Sequence, residues 1–262
     1  MPDNREMDAV SAQWCVFLER SAVRALLVLS VATLAACAER GPPASNDWPV
    51  YGGNDDHTHY TTLSQISPAN VAQLEVAWTF DTGDAFDGSE MQANPVVIDG
   101  ILYATTPKLR VIALDAATGE ELWRFDPTSG ELPESRFRHR GVVVTGDRVI
   151  FNYRNRLYAL DRTTGEPIPT FGDGGWVDLR EGLGRPVDGL SVSASSPGVV
   201  FEDLFIIGSS VPESLPSAPG DIRAYDVMTG ALRWSFHTIP HPGEVGYETW
   251  PSGAWQIAGG AN

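Results

Sequence analysis

The sequence predicts an all-β chain built from propeller blades, on the strength of a repeated string, its spacing and the scarcity of helical patterns. LRVIALDAATGEELWRF at 109–125 and DIRAYDVMTGALRWSF at 221–236 follow one template: an apolar strand running into Asp, a Thr-Gly turn, then a strand carrying Trp and Phe. Asp115, Gly119, Trp123 and Phe125 in the first correspond to Asp226, Gly230, Trp234 and Phe236 in the second. RLYALDRTTGEPIPTF at 156–171 is a degenerate third copy with Pro169 where the Trp would be, and LEVAWTFDTG at 74–83 supplies the Trp strand of a fourth. Trp78 precedes Trp123 by a period in the forties, and strand, tight turn and strand at that period are the signature of blades. Long amphipathic helical patterns are scarce after residue 48.

Each element of the template has a physical reason. The Asp caps a bend, Thr-Gly supplies a residue that takes positive φ at little steric cost, and the next strand then starts in register. Alternation of apolar residues in VIALD and DIRAYD suits half-buried strands stacked between blades, and it places the following Trp on a buried face. These Trp and Asp residues are architectural, so the repeat defines the fold and leaves the function open.

The 262 residues, 42 % hydrophobic and 10 % aromatic, suffice for the core of one or two domains. A formal charge of −16 excludes a nucleic-acid or anionic-membrane surface, both of which need clustered Lys and Arg. Any anionic ligand must be held by local arginines. ALLVLSVATLAA at 25–36 follows Arg20 and Arg24, is too short to span a bilayer and reads as a signal-peptide core. Leu34-Ala35-Ala36-Cys37 resembles a bacterial lipobox, which makes Cys37 the expected lipid attachment site, and Ala38 favours outer-membrane sorting. The lead before the apolar run is long, and Met7 is an alternative start. The expected organisation is a lipoprotein-type signal peptide at 1–36, a tether at 37–47 and a folded domain at 48–262, periplasmic and anchored to the membrane by lipid. The other cysteine, Cys15, precedes the expected cleavage, so the mature chain has no disulfide or thiolate chemistry.

DWPVYGGNDDHTHYTTLSQISPANVAQLEVAWTF at 47–80 resembles the opening of the pyrroloquinoline quinone (PQQ) dependent dehydrogenases. The resemblance rests on Trp48, Pro49, Tyr51 and Gly52, then Leu63, Gln65 and Ile66, then Asn70, Val71 and Leu74, then Ala77 and Trp78, and it continues to the last residues. The glucose dehydrogenase-like, membrane-associated branch fits better than the methanol dehydrogenase branch, whose vicinal cysteine pair is absent. The resemblance implies an eight-bladed quinoprotein propeller of which this chain holds about half the blades, as an N-terminal fragment.

It also implies a site. PQQ carries three carboxylates and an ortho-quinone, so its pocket needs cationic forks, hydroxyl donors and a divalent cation. In FRHRGVVV at 137–144, Arg140 maps to the arginine that contacts the cofactor, while Arg136 and Arg138 face solvent. In IIGSSVPE at 206–213, Ser210 maps to a hydroxyl donor to PQQ and Glu213 to a calcium ligand; in SASSPGVV at 193–200, Ser195 is favoured over its neighbour as a further donor. Gln92 stands where many relatives have a PQQ-contacting Glu, with Glu90 two positions away on the same strand face. His237 and His241, in HTIPHPGE, lack zinc-type spacing on a helix and read as loop hydrogen-bonders.

No catalytic base is assignable, because the relatives' base, stacking aromatic and remaining calcium ligands come later in their chains. The implied activity is PQQ- and calcium-dependent oxidation of an alcohol or aldose, with electrons passed to a quinone or cytochrome and this chain alone inactive. The competing class is a non-enzymatic propeller lipoprotein of the outer-membrane barrel-assembly type, which shares the repeats and lipobox but binds proteins.

Overall fold

Three four-stranded antiparallel sheets follow one another along the chain. The first contains β1 (Val96–Ile98), β2 (Ile101–Thr105), β3 (Val111–Asp115) and β4 (Glu121–Phe125). The second contains β5 (Val143–Thr145), β6 (Arg148–Tyr153), β7 (Arg156–Asp161) and β8 (Trp176–Asp178), and the third β9 (Val199–Phe201), β10 (Leu204–Ile207), β11 (Ile222–Asp226) and β12 (Leu232–Phe236). This is a computed structural model, and it describes residues 47–128 and 138–260, all within the unit Asn46–Asn262. The expected signal peptide at 1–36, Cys37 and Arg136 lie outside the described residues.

Within each sheet the strands meander in sequence order, so each sheet is one blade. The turn chemistry read from the sequence is present three times over. In the first blade Asp115 Oδ1 accepts from the amides of Ala117 and Thr118 and from the Thr118 hydroxyl, and the Gly119 amide closes the turn on the Asp115 carbonyl at 2.8 Å. Asp161 and Asp226 repeat this set with Thr164 and Thr229. Gly119, Gly165 and Gly230 take φ of +77, +74 and +72, which a residue with a Cβ adopts only under strain.

These turns also receive the tryptophans. Trp78 donates its indole N–H to the Ala116 carbonyl at 3.2 Å, and Trp123 donates to the Arg162 carbonyl at 3.0 Å, so each Trp seats on the turn of the following blade. A Cβ on Gly165 would stand 2.5 Å from the Trp123 ring, and one on Gly119 2.6 Å from the Trp78 ring. The glycines are therefore demanded twice, by φ and by the ring above them. Opposite Trp123 and Trp234 across the sheet lie Ala113 and Ala224, fully buried residues with a register shift beside each.

The cores sit between blades. Val96, Tyr103, Val111, Val149, Phe151 and Leu160 fill the first gap, and Ile150, Leu157, Phe171, Leu179, Phe205 and Tyr225 the second. Two local readings need correction. In the degenerate copy the strand after the turn does not run through Pro169: after one bridge from Leu160 to Pro167 the chain loops out and the fourth strand re-forms at Trp176–Asp178. Proline lacks the amide a ladder needs, and Phe171, fully buried, takes the place of Trp against Gly230. Trp234 is 40 % exposed, not buried, because among the described residues no further blade lies against that side of the third blade.

Candidate cofactor site at the entry ends of the inner strands

The first strand of each blade, β1, β5 or β9, is the strand that meets its counterpart in the next blade, so these three line the axis. Just before each of them the backbones come into direct contact. The Asn94 amide donates to the Arg140 carbonyl at 3.0 Å, and the Arg140 amide donates to the Ser195 carbonyl at 2.9 Å. Ser193 and Ser210 then exchange amide and carbonyl bonds at 3.1 and 2.6 Å, which brings the segment after β10 alongside. Four of the sequence-derived positions, Gln92, Arg140, Ser195 and Ser210, thus fall on one run of adjoining segments at one end of the blades.

Gly141 makes that approach possible. Its φ is +126, and a Cβ there would stand 2.8 Å from the Asn94 carbonyl oxygen. The Arg-Gly pair is thereby explained: the arginine carries the charge and the glycine lets its strand close on the neighbour.

Arg140 is exposed, and its Nη1 donates to the hydroxyls of Ser195 and Ser196 at 3.2 and 3.3 Å. Both serines are engaged, so the geometry does not select Ser195 over Ser196. No carboxylate lies within ion-pair distance of Arg140 among the described residues. In a chain of charge −16 this leaves a guanidinium charge available to an anionic ligand.

Arg138, two residues earlier, is different. It grips Glu90 with two bonds at 2.7 and 2.8 Å, and Gln92 donates to the same carboxylate at 2.8 Å. The Arg138 guanidinium, helped by the Gln92 amide, holds the Glu90 carboxyl below the usual carboxylate range. Glu90 and Gln92 are bonded to each other but lie before β1 and not on a strand face as the sequence suggests, with the negative charge of the pair on Glu90 and already neutralised. Glu213 lies three residues beyond Ser210 on an exposed loop and Ser210 is half-buried.

Sequence reasoning passed over His139, which alternation turns inward between the two arginines. It is buried, and the Gly141 amide donates to its Nδ1 at 3.2 Å, so Nε2 carries the proton and donates to Asn152 Oδ1 at 2.9 Å. Asn152 in turn donates to the Ala194 carbonyl at 2.6 Å. This buried bridge ties the Arg140 segment to the Ser195 segment from beneath. Burial pushes the His139 imidazole below the ordinary histidine range, with Arg140 adding to the effect and the Asn152 and Gly141 bonds opposing it. An unfolded chain protonates at the ordinary value of about 6.5 while the native state resists, so stability is constant above that pH and falls below it. The urea midpoint of the wild type is expected to drop between about pH 6.5 and 5 more steeply than that of His139→Gln; parallel profiles would contradict a neutral, buried His139.

A propeller that presents, just before its inner strands, a cation among hydroxyls and without a carboxylate partner among the described residues is a scaffold for a polyanionic ligand. Residues 48–262 match the family described as PQQ glucose/ethanol/alcohol dehydrogenase, β-propeller domain. The chain belongs to this family of PQQ-dependent dehydrogenases. It is 33 % identical over 228 residues to quinoprotein glucose dehydrogenase A of Acinetobacter calcoaceticus, covering 74 % of this chain and 28 % of that protein. It is 30 % identical over 262 residues to the quinohemoprotein alcohol dehydrogenase ADH IIB of Pseudomonas putida, covering 90 % and 35 %. Among solved structures, the quinohemoprotein alcohol dehydrogenase of Comamonas testosteroni superposes with a TM-score of 0.60 at 29 % identity, over 81 % of this chain and 32 % of that one. The chain therefore spans roughly a third of the length of the relatives it matches.

Proposed function

We propose that this chain supplies the early blades of a PQQ- and calcium-dependent dehydrogenase that oxidises an alcohol or an aldose and passes electrons to a quinone or cytochrome. The observation that carries the reading is Arg140, a cation with hydroxyl neighbours and no carboxylate partner among the described residues, beside the inner strands of a quinoprotein propeller. The donor set fits PQQ: a guanidinium for a carboxylate, with the hydroxyls of Ser195 and Ser210 and the amide of Gln92 as neutral partners. When bound, PQQ supplies the acceptor for the hydride taken from the substrate carbon.

The residues of this chain bind and orient. Arg140 fixes one carboxylate, and the hydroxyls of Ser195 and Ser210 hold polar edges of the same ligand. The His139 and Asn152 bridge keeps those segments at fixed separation, so the pocket is formed before the ligand arrives. Glu213 offers the anionic oxygen that a hard cation such as calcium prefers. We further propose that residues 1–36 are a lipoprotein signal peptide, that 37–47 tether the domain at 48–262, and that Cys37 carries the lipid on the periplasmic side of the outer membrane. Mass spectrometry of the mature N-terminus tests that part: a diacylglyceryl-modified Cys37 is expected, and cleavage elsewhere would overturn it.

The metal assignment has its own test. Glu213→Gln keeps shape and removes charge, so the whole dehydrogenase carrying this substitution is expected to need about tenfold or more calcium for half-maximal activity at saturating PQQ. An unchanged calcium requirement would remove Glu213 from the metal.

A further inference from the structure

The loop after β12 brings together three side chains that the family reading leaves without a role. His237 and His241 are half-buried and Glu244 is exposed. The loop reverses tightly here, with the Glu244 amide bonded to the His241 carbonyl at 3.0 Å and Gly243 and Gly246 at φ of +90 and +89. The Glu244 carboxylate is used on both sides: Oε1 lies 2.8 Å from His237 Nδ1, and Oε2 accepts the His241 amide at 2.7 Å. The His241 ring lies 3.7 Å from that of His237, nearly parallel at 14°, with Trp255 4.6 Å away from it. One ligand atom from each of the three residues falls within 4.8 Å of the other two.

We propose that His237, His241 and Glu244 form a binding site for a divalent transition metal of the zinc type, distinct from the calcium site assigned to Glu213. Two imidazoles and one carboxylate are a ligand set zinc accepts, with a fourth position left for water, and two imidazoles disfavour calcium, which takes oxygen. At zinc–ligand distances of about 2.0–2.2 Å, tetrahedral donors stand about 3.3 Å apart. The His237–Glu244 pair needs to open by only a few tenths of an ångström, with the cation replacing the proton the two atoms share. The His241 ring must turn out of the stack to aim a nitrogen, a rotation that a half-buried side chain on a surface loop makes at small cost. Thr238, inside the loop, donates to the Gly220 carbonyl at 3.0 Å, so a bound ion would brace the loop against the start of β11.

The test is calorimetric titration of Zn²⁺ into the 262-residue chain at neutral pH, without PQQ or calcium. One ion per chain is expected at micromolar affinity, weakening toward about pH 5 as the imidazoles take up protons. His241→Ala and Glu244→Gln are each expected to weaken binding about tenfold or more, while His57→Ala leaves it unchanged. Co²⁺ as a second probe is expected to give the intense visible bands of a four-coordinate site, lost in the same two variants. Absence of binding, affinity unaltered in both loop variants, or a Co²⁺ spectrum like that of the hydrated ion would overturn the proposal. Because PQQ and calcium play no part in the readout, failure here leaves the dehydrogenase reading standing, and the reverse also holds.

Discussion

Arg140→Ala is expected to weaken PQQ binding to the whole dehydrogenase by about 30- to 150-fold, equivalent to about 2–3 kcal/mol. The guanidinium is solvent-exposed in this structure, and its contact gains strength only when the ligand covers it. Removing it leaves a PQQ carboxylate facing only the Ser195 and Ser196 hydroxyls. Arg138→Ala is the matched control: same segment before β5, same charge, but already bound to Glu90 by two bonds. Reconstitution of the apoenzyme titrated with PQQ at fixed calcium separates the two, since only Arg140→Ala should shift the midpoint. Equal shifts would mean that net charge alone steers the ligand.

Trp123→Ala is expected to cost about 3–5 kcal/mol of stability, the range for deleting a large buried aromatic. Trp123 is 9 % exposed, packs 6.0 Å from the Tyr103 ring, covers Gly165 and donates to the Arg162 carbonyl of the next blade. Losing it opens a cavity between two blades and frees a turn carbonyl to water. A fall in the denaturant midpoint with an unchanged slope would report that loss. Trp234→Ala serves as the contrast, because Trp234 is largely exposed and its removal should cost far less. If the two variants lose equal stability, docking on the next turn is not what holds the blades.

How much of this was legible in the sequence depends on whether the signal was local. The Asp, Thr-Gly and Trp template was readable because each residue answers a demand of its own turn, and all three turns formed with the bonds the template implies. The displaced fourth strand at Trp176–Asp178 was not, since the alternation around Pro169 carries no sign of where pairing resumes. For the site, Arg140, Ser195 and Ser210 came from resemblance, and the structure sets them on adjoining segments. Their bonding depends on contacts between residues 17 to 55 positions apart, such as Ser210 with Ser193 and Arg140 with Ser195, which no spacing rule reaches. His139 hid between two arginines, although the alternation of a strand already turned it inward. The histidines of HTIPHPGE were weighed against helical spacing, whereas a turn of the loop brings them together.

The central claim is that the axis end of these blades, led by Arg140, holds a PQQ carboxylate. A crystal structure of the PQQ-loaded dehydrogenase measures this directly. A PQQ carboxylate is expected within about 3 Å of the Arg140 guanidinium, with Ser195 or Ser196 and Ser210 at hydrogen-bond distance from the same ligand. PQQ bound with Arg140 still facing only the two serine hydroxyls, or paired with a protein carboxylate, would contradict it.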